Sequence, residues 1–229
     1  MFNECIFALH VSTISISTII FGKLGKSALI AYISLLFVIA NIFVIKQIEL
    51  FNWSVTSADA FIVGISFGIN LLQEFWGKES ARKAIWISFA CSLFYMIISQ
   101  CVLAYIPASF DDTHTQFAHI MAYTIRITLA SFISYLITQF TDMYAYGYIK
   151  KATTGKYFVA RNYFAMCSSQ LLDTVLFSFL GLYGIVDNIM HIMIMSYAIK
   201  IIAIFITTPF LIIAKKLIFY EKTSHPLYE

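Results

Sequence analysis

Seven long apolar segments, separated by short polar connections, constrain the fold of this 229-residue chain more than any other feature. A helix needs about 20 predominantly apolar residues to cross the hydrocarbon core of a bilayer. The shorter alternating segments typical of membrane barrels are absent from the sequence. We therefore predict an all-α polytopic membrane protein with about seven transmembrane helices. The segments are 5–22, 27–45, 55–73, 84–106, 117–140, 162–184 and 189–214.

The composition excludes the main soluble classes. The chain is 60% hydrophobic and 12% charged, whereas a soluble domain has about 45–50% apolar and about 25% charged residues. So few charges cannot cover a water-facing surface. A soluble enzyme, a nucleic-acid-binding protein, a disordered tail and a secreted disulfide scaffold are therefore poor fits. The four cysteines lie in apolar stretches without metal-binding spacing, so we expect no metal site.

The charges of the connections predict the orientation of the helices. Cytoplasmic loops carry an excess of lysine and arginine. If the N-terminus is outside, twelve of these residues lie on the inner side, and Lys46 lies on the outer side. This distribution predicts an N-out, C-in protein, in which the connection 46–54 has room for a re-entrant or tilted piece. The inner residues are Lys23, Lys26, Lys78, Arg82, Lys83, Lys150, Lys151, Lys156, Arg161, Lys215, Lys216 and Lys222.

Three charged residues lie near the centres of their predicted helices. They are Arg126, Asp173 and Lys200, and Glu74 lies at the inner edge of another helix. A charge at the centre of a membrane helix costs about 2.5–3.5 kcal/mol on insertion scales. Two explanations are open: an ion pair such as Asp173 with Lys200 that locks helices together, or a midplane site of the kind found in transporters.

Polar and aromatic side chains share helix faces with these charges. A carboxylate accepts hydrogen bonds and an amide both donates and accepts, which matches the edge of a guanine-like heterocycle. Aromatic faces can stack on such a ring. Interhelical hydrogen bonding is the alternative explanation. The stripes combine Phe67, Asn70 and Glu74 on the third segment, Gln170, Asp173 and Phe177 on the sixth, Tyr197 and Lys200 on the seventh, and Asn41 on the second.

A G-x-S-x-G motif runs from Gly64 to Gly68. As a nucleophile elbow it needs a strand–turn–helix context and a histidine partner, but here it lies inside an apolar segment. The same glycines form a GxxxG motif, which favours close helix packing. We therefore predict a packing role for the two glycines, and we expect neither a catalytic residue nor a cofactor in this chain.

Several blocks in a fixed order resemble the queuosine precursor transporters, the vitamin uptake transporter family, over roughly residues 29–217. The blocks are Ile39-Ala40-Asn41, then Glu74-Phe75-Trp76-Gly77-Lys78-Glu79-Ser80-Ala81-Arg82, then Arg126 with Ala130, Ser131, Gln139 and Asp142, then Arg161, then Ser169-Gln170-Leu171-Leu172-Asp173-Thr174-Val175-Leu176-Phe177, and finally Tyr197-Ala198-Ile199-Lys200. Many members of the family have aspartate at the position of Asn70, which weakens a carboxylate role there.

The resemblance implies a non-enzymatic importer in the inner membrane. Its substrates would be 7-deazapurine bases, queuine or its nitrile and amine precursors, for tRNA modification. The family has a six-helix core, so 27–219 would be the core, 1–26 an added transmembrane helix and 220–229 a short cytoplasmic tail. The alternative is the membrane substrate-binding component of an energy-coupling-factor importer for a vitamin-like heterocycle, which would need a coupling subunit. A membrane enzyme acting on lipid is a third class, but we find no nucleophile–base pair for it.

The predicted partners are therefore a small deazapurine and the lipid bilayer, without nucleic acid, and a homo-oligomer is compatible with the sequence. Proton-coupled import and uniport followed by intracellular trapping both fit it. The predicted substrate-binding residues are Asn41, Phe67, Asn70, Gln73, Glu74, Gln170, Asp173, Phe177, Tyr197 and Lys200, and the predicted charge-balancing residues are Arg126, Asp142 and Arg161.

Overall fold

The computed structural model describes residues 2–44, 46–121, 125–184 and 188–224, with the side chains of 125–127 and 218–224 also outside the description. This part of the chain is helical except for one small hairpin, so the predicted all-helical fold is confirmed. The elements are α1 (Phe2–Lys23), α2 (Lys26–Phe43), β1 (Gln47–Leu50), β2 (Trp53–Thr56), α3 (Asp59–Trp76), α4 (Lys78–Leu103), α5 (His114–Met121), α6 (Ile125–Ala152), α7 (Phe158–Phe177) with a π-helical turn (Ser178–Leu182), and α8 (Ile189–Ser224).

Five helices are long and apolar enough to cross a membrane, as judged on the described residues. They are α1, α2, α4, α7 together with its π-helical turn, and α8 over Ile189–Leu217. Large apolar side chains on their outer faces are exposed, among them Phe94, Ile194 and Phe205. Many serine, threonine, asparagine and glutamine side chains are buried inside the bundle. Apolar residues outside and polar residues inside are the arrangement expected of a protein whose solvent is lipid.

Helix α3 lies at the centre of the bundle. It packs against α1, α2, α4, α6, α7 and α8, and 14 of its 18 residues are buried. Its neighbours shield it from lipid, so it can carry polar residues that would be costly on a lipid-facing helix. The central helix therefore presents polar side chains to the interior along its whole length, from Asp59 to Glu74.

The glycines of the G-x-S-x-G motif lie where α3 meets α1 and α2. A Cβ atom on Gly64 would collide with the side chain of Ile14 on α1. A Cβ atom on Gly68 would lie 2.8 Å from Cγ1 of Ile33 on α2. This agrees with the close packing predicted from the spacing, since only a residue without a side chain allows these backbones to approach.

The connection between α2 and α3 is an antiparallel hairpin, a structure that the sequence analysis did not predict. Strand β1 pairs with β2, and the two turn residues, Phe51 and Asn52, both have positive φ. Positive φ at both central residues is the type I′ geometry, which matches the twist of the flanking strands. The N-terminus of α1 holds the hairpin, because Asn3 Nδ2 donates to the Glu49 carbonyl at 2.9 Å and Glu4 Oε1 accepts from the Phe51 N–H at 3.0 Å.

Several predicted helix boundaries differ from the structure, and the two largest differences lie at the C-terminal ends of α6 and α8. The fifth predicted segment, 117–140, ends too early, because α6 continues to Ala152. The extension packs on the bundle through the buried side chains of Met143 and Tyr146, and Lys150 pairs with Glu74 of α3. Helix α8 likewise continues to Ser224, so residues 220–224 of the predicted tail are helical, and 225–229 lie outside the described residues.

Candidate functional site

A cavity of about 500 Å³ lies among α2, α3, α6, α7 and α8. This volume is within the range of about 300–1,000 Å³ that is typical of small-molecule sites. The hairpin borders the cavity on one side and the π-helical turn on another. The lining residues include Asn41, Gln47, Thr56, Asp59, Ser131, Ser134, Tyr135, Asp173, Phe177, Ser178, Leu182, Ser196 and Lys200.

Three charged residues from three helices meet at the wall of this cavity, and we call them the charged triad: Asp59, Asp173 and Lys200. Lys200 Nζ lies 2.6 Å from Asp173 Oδ2 and 3.6 Å from Asp59 Oδ1. The lysine is only 3% exposed, so its charge depends on these carboxylates rather than on water. With two carboxylates and one ammonium group, the ionised triad carries a net charge of −1.

Hydroxyl groups complete the shell of the triad. Ser134 Oγ donates to Asp173 Oδ1 at 2.8 Å, and Ser196 Oγ lies 3.2 Å from Asp59 Oδ2. Lys200 Nζ also donates to Thr174 Oγ1 at 3.2 Å. Asp59 is the first residue of α3, where the unpaired N–H groups of the helix favour a negative charge. Each charge of the triad is thus held by fixed dipoles as well as by its counter-charge.

Aromatic and amide groups form the other walls. The rings of Phe37 and Tyr135 are stacked, with centroids 3.6 Å apart. The Tyr135 hydroxyl is buried and has no well-formed hydrogen bond to any of the described residues. Asn41 Nδ2 donates to Ser92 Oγ at 2.8 Å, and Asn41 Oδ1 accepts from Ser131 Oγ at 3.2 Å. The cavity therefore offers aromatic faces, neutral polar groups and a negative charge to a ligand.

A second polar region lies about one to two helical turns farther along α3, α6 and α7. We call it the buried polar cluster: Ser66, Asn70, Gln139, Asp142, Ser169 and Gln170, all fully buried. Gln170 Nε2 donates to Ser66 Oγ at 3.1 Å, and Ser66 Oγ donates to Gln139 Oε1 at 3.3 Å. Within the described part of the chain, both side-chain polar atoms of Asn70 and both oxygens of Asp142 have no well-formed hydrogen bond. Buried groups without partners are rare, and each requires an explanation.

An ion network lies one turn farther again, and it consists of Glu74, Tyr146, Lys150 and Arg161. Glu74 Oε1 lies 3.0 Å from Arg161 Nη2, and Glu74 Oε2 lies 2.7 Å from Lys150 Nζ. The Tyr146 hydroxyl donates to Glu74 Oε2 at 2.7 Å. The guanidinium of Arg161 also lies 5.3 Å from the centroid of the Tyr146 ring. The network joins α3, α6 and α7 at the end of the bundle opposite the hairpin.

The structure divides the predicted site residues among these three regions. The cavity is lined by Asn41, Asp173, Phe177 and Lys200, while Asn70, Asp142 and Gln170 belong to the buried polar cluster. Glu74 and Arg161 pair with each other in the ion network. Gln73, Phe67 and Tyr197 are not among the residues that line the cavity: Gln73 Nε2 donates to the Met143 carbonyl, Phe67 is fully buried in the core, and the Tyr197 hydroxyl donates to the Cys167 carbonyl. The side chain of Arg126 lies outside the described residues.

Asp59, Ser134 and Tyr135 are cavity residues that the sequence analysis did not select. Asp59 is the fifth residue of the predicted segment 55–73, so it resembled a boundary residue. An acidic residue inside an otherwise apolar segment was the signal that could have identified it. Ser134 is one of many serines in membrane helices, and only its contact with Asp173 distinguishes it.

Comparisons with known proteins give a consistent result. Residues 57–214 match a family model described as "Putative vitamin uptake transporter". Over 229 residues the chain is 33% identical to a Bacillus subtilis (strain 168) protein named "Probable queuosine precursor transporter", with 98% of this chain and 100% of that protein covered. No solved structure matches the chain significantly. The matched family region contains the whole charged triad.

Proposed function

The chain belongs to the vitamin uptake transporter family, and we propose that it imports 7-deazapurine precursors of queuosine across the cytoplasmic membrane for tRNA modification. The name of the Bacillus subtilis relative supports this substrate class. The observation that carries the proposal is the cavity of about 500 Å³ with the charged triad in its wall. A site of this size and polarity suits a flat heterocycle with several hydrogen-bonding groups.

The chemistry of the triad matches a guanine-like edge. The ring N–H and the exocyclic amine of such a base both donate, so a carboxylate of Asp173 or Asp59 can accept from both. The ammonium group of Lys200 can donate to the neighbouring ring carbonyl. The stacked rings of Phe37 and Tyr135 and the ring of Phe177 supply aromatic faces. In this proposal the substrate lies between the carboxylates and the aromatic wall.

We propose seven transmembrane helices with the N-terminus outside, formed by the five apolar helices together with α3 and α6. In this orientation the hairpin covers the cavity on the outer side, and the ion network lies near the cytoplasmic surface. The lysines and arginines of the connections support it. In this proposal α2, α3, α4, α6, α7 and α8 form the six-helix core, and α1 is the added helix, whose Asn3 and Glu4 hold the hairpin.

Uptake in living cells tests the proposed substrate class. In a strain that can neither make nor import queuosine precursors, expression of this chain is expected to restore queuosine in tRNA when a precursor is supplied. The nitrile, the amine and queuine are each added, and tRNA nucleosides are quantified by mass spectrometry. An empty vector is the control. Failure to restore queuosine with all three precursors would overturn the substrate assignment.

Substitution of Asp173 tests the site. Asp173→Asn removes one acceptor charge from the triad while Asp59 still accompanies Lys200. A hydrogen bond to a charged group contributes about 1.5–3 kcal/mol, so we expect uptake at low substrate concentration to fall about 10–100-fold. Initial rates of precursor uptake measure the effect. Asp111→Asn, in an exposed turn, is the matched control and should retain wild-type rates.

The outcome also separates two roles for Asp173. Size-exclusion chromatography must show that Asp173→Asn remains folded, so that a loss of uptake reports on substrate rather than on assembly. Uptake at the wild-type rate would assign Asp173 to helix packing instead. Co-purification with a coupling subunit and ATPases would favour the energy-coupling-factor alternative over an independent importer.

A further inference from the structure

The carboxyl group of Asp142 is the least explained group in the interior. Its side chain is fully buried, and among the described residues neither oxygen has a well-formed hydrogen bond. The polar side chains close enough to interact with it, Asn70, Ser169 and Ser66, are all neutral. A carboxylate left ionised in such a place would lose its hydration with only neutral dipoles to compensate for it.

The nearest charges on α7 and α3 are already paired. On α7 the nearest is Asp173, one turn from Ser169, which pairs with Lys200. On α3 the nearest is Glu74, one turn beyond Asn70, which pairs with Arg161 and Lys150. On α4, Lys78 Nζ lies 3.9 Å from the centroid of the Tyr144 ring of α6. Within the described residues, therefore, no cation forms an ion pair with Asp142.

The position of Asp142 in the bundle indicates a function for a buried carboxyl group without a counter-charge. The buried polar cluster lies between the cavity and the ion network, on the three helices that both regions share. The carboxyl group is thus closed off from both ends of the bundle, and a change that opens either end would bring water to it. A group that is dry in one state and hydrated in another changes its proton affinity between the two.

We propose that Asp142 is the proton-binding site that couples precursor import to the proton gradient, an inference that rests on the proposed function. A proton from the outer side bonds to an Asp142 oxygen and neutralises it before the cluster closes. After the inner end opens, the O–H bond breaks and the proton passes to cytoplasmic water together with substrate release.

Infrared spectroscopy tests the protonation of Asp142 without any substrate. Purified protein in lipid nanodiscs at neutral pH should show the C=O stretching band of a protonated carboxyl group. This band should be absent from Asp142→Asn and should be retained in Asp111→Asn. Its absence from the wild type would overturn the proposal. Loss of the band on replacing choline with sodium would also overturn it, because sodium would then occupy the site.

Transport in liposomes tests the coupling. With one proton per substrate, an inward gradient of one pH unit should drive about tenfold accumulation of precursor. Asp142→Asn mimics the protonated state, so it should still exchange internal for external precursor but should accumulate none. Accumulation by Asp142→Asn at the wild-type level would overturn the inference.

The two proposals fail in different ways. If the wild type shows neither exchange nor uptake of any of the three precursors, the substrate assignment is wrong, and the infrared band still decides whether Asp142 holds a proton. If exchange occurs but the pH gradient drives no accumulation, the substrate assignment stands and the coupling proposal is wrong.

Discussion

Lys200→Met is expected to lower the free energy of unfolding by about 3–5 kcal/mol. Lys200 is buried between two carboxylates, at 2.6 Å from Asp173 and 3.6 Å from Asp59. Removal of the cation leaves two like charges in the interior with only serine hydroxyls to compensate them. Thermal or denaturant unfolding of the purified protein in detergent measures the loss. Asp173→Asn should be milder, because Lys200 then keeps Asp59 as its partner.

Removing the two carboxylate charges as well should restore the stability that Lys200→Met loses. The triple variant Lys200→Met, Asp173→Asn, Asp59→Asn removes all three charges, and replacement of a whole buried ion pair by neutral groups is often close to neutral in stability. Lys216→Met removes an exposed lysine of the same helix and should change stability by less than about 0.5 kcal/mol. If Lys200→Met were as stable as Lys216→Met, the triad would not be the buried cluster that the structure describes.

The membrane helices could be predicted from sequence because the length and apolar character of a span are local properties. The C-terminal boundary of α6 could not, because the extension packs on the bundle through long-range contacts such as those of Tyr146 and Lys150 with Glu74. The hairpin was also not predictable. Its turn residues, Phe51 and Asn52, are not the Asn-Gly or Asp-Gly pair that usually identifies a type I′ turn.

The candidate site was partly predictable, because some of its residues stand out in the local sequence. Asp173 and Lys200 were conspicuous because a charge in an apolar segment is costly, and the two explanations left open for them are compatible: they form an ion pair, and that pair lines the cavity. Asp59 could not be predicted as a cavity residue, because its contact with Lys200 depends on α8 lying beside α3. The helical periodicity also predicted Glu74 on the same face as Asn70. Glu74 lies one helical turn beyond Asn70, however, and there it pairs with Arg161 in the ion network.

Glu74→Gln is expected to have the second large effect, a loss of about 3–5 kcal/mol in the free energy of unfolding. The side chain of Arg161 has no exposed surface and relies on Glu74 for its counter-charge. Its Nε and Nη1 atoms already lack hydrogen-bond partners among the residues that the structure describes. Glutamine keeps the shape of the side chain but removes the charge, so a buried guanidinium would remain uncompensated. Unfolding in detergent, under the conditions used for the triad variants, measures the loss.

Lys150→Met is the matched control for Glu74→Gln, because it breaks the other ion pair of the same carboxylate. The Lys150 side chain is 36% exposed, and solvent screens such a pair, so its removal should cost at most about 1 kcal/mol. Because Glu74→Gln breaks both ion pairs and Lys150→Met breaks only the exposed one, the difference between the two variants reports the pair with the buried Arg161. Equal losses in Glu74→Gln and Lys150→Met would show that Arg161 does not depend on Glu74.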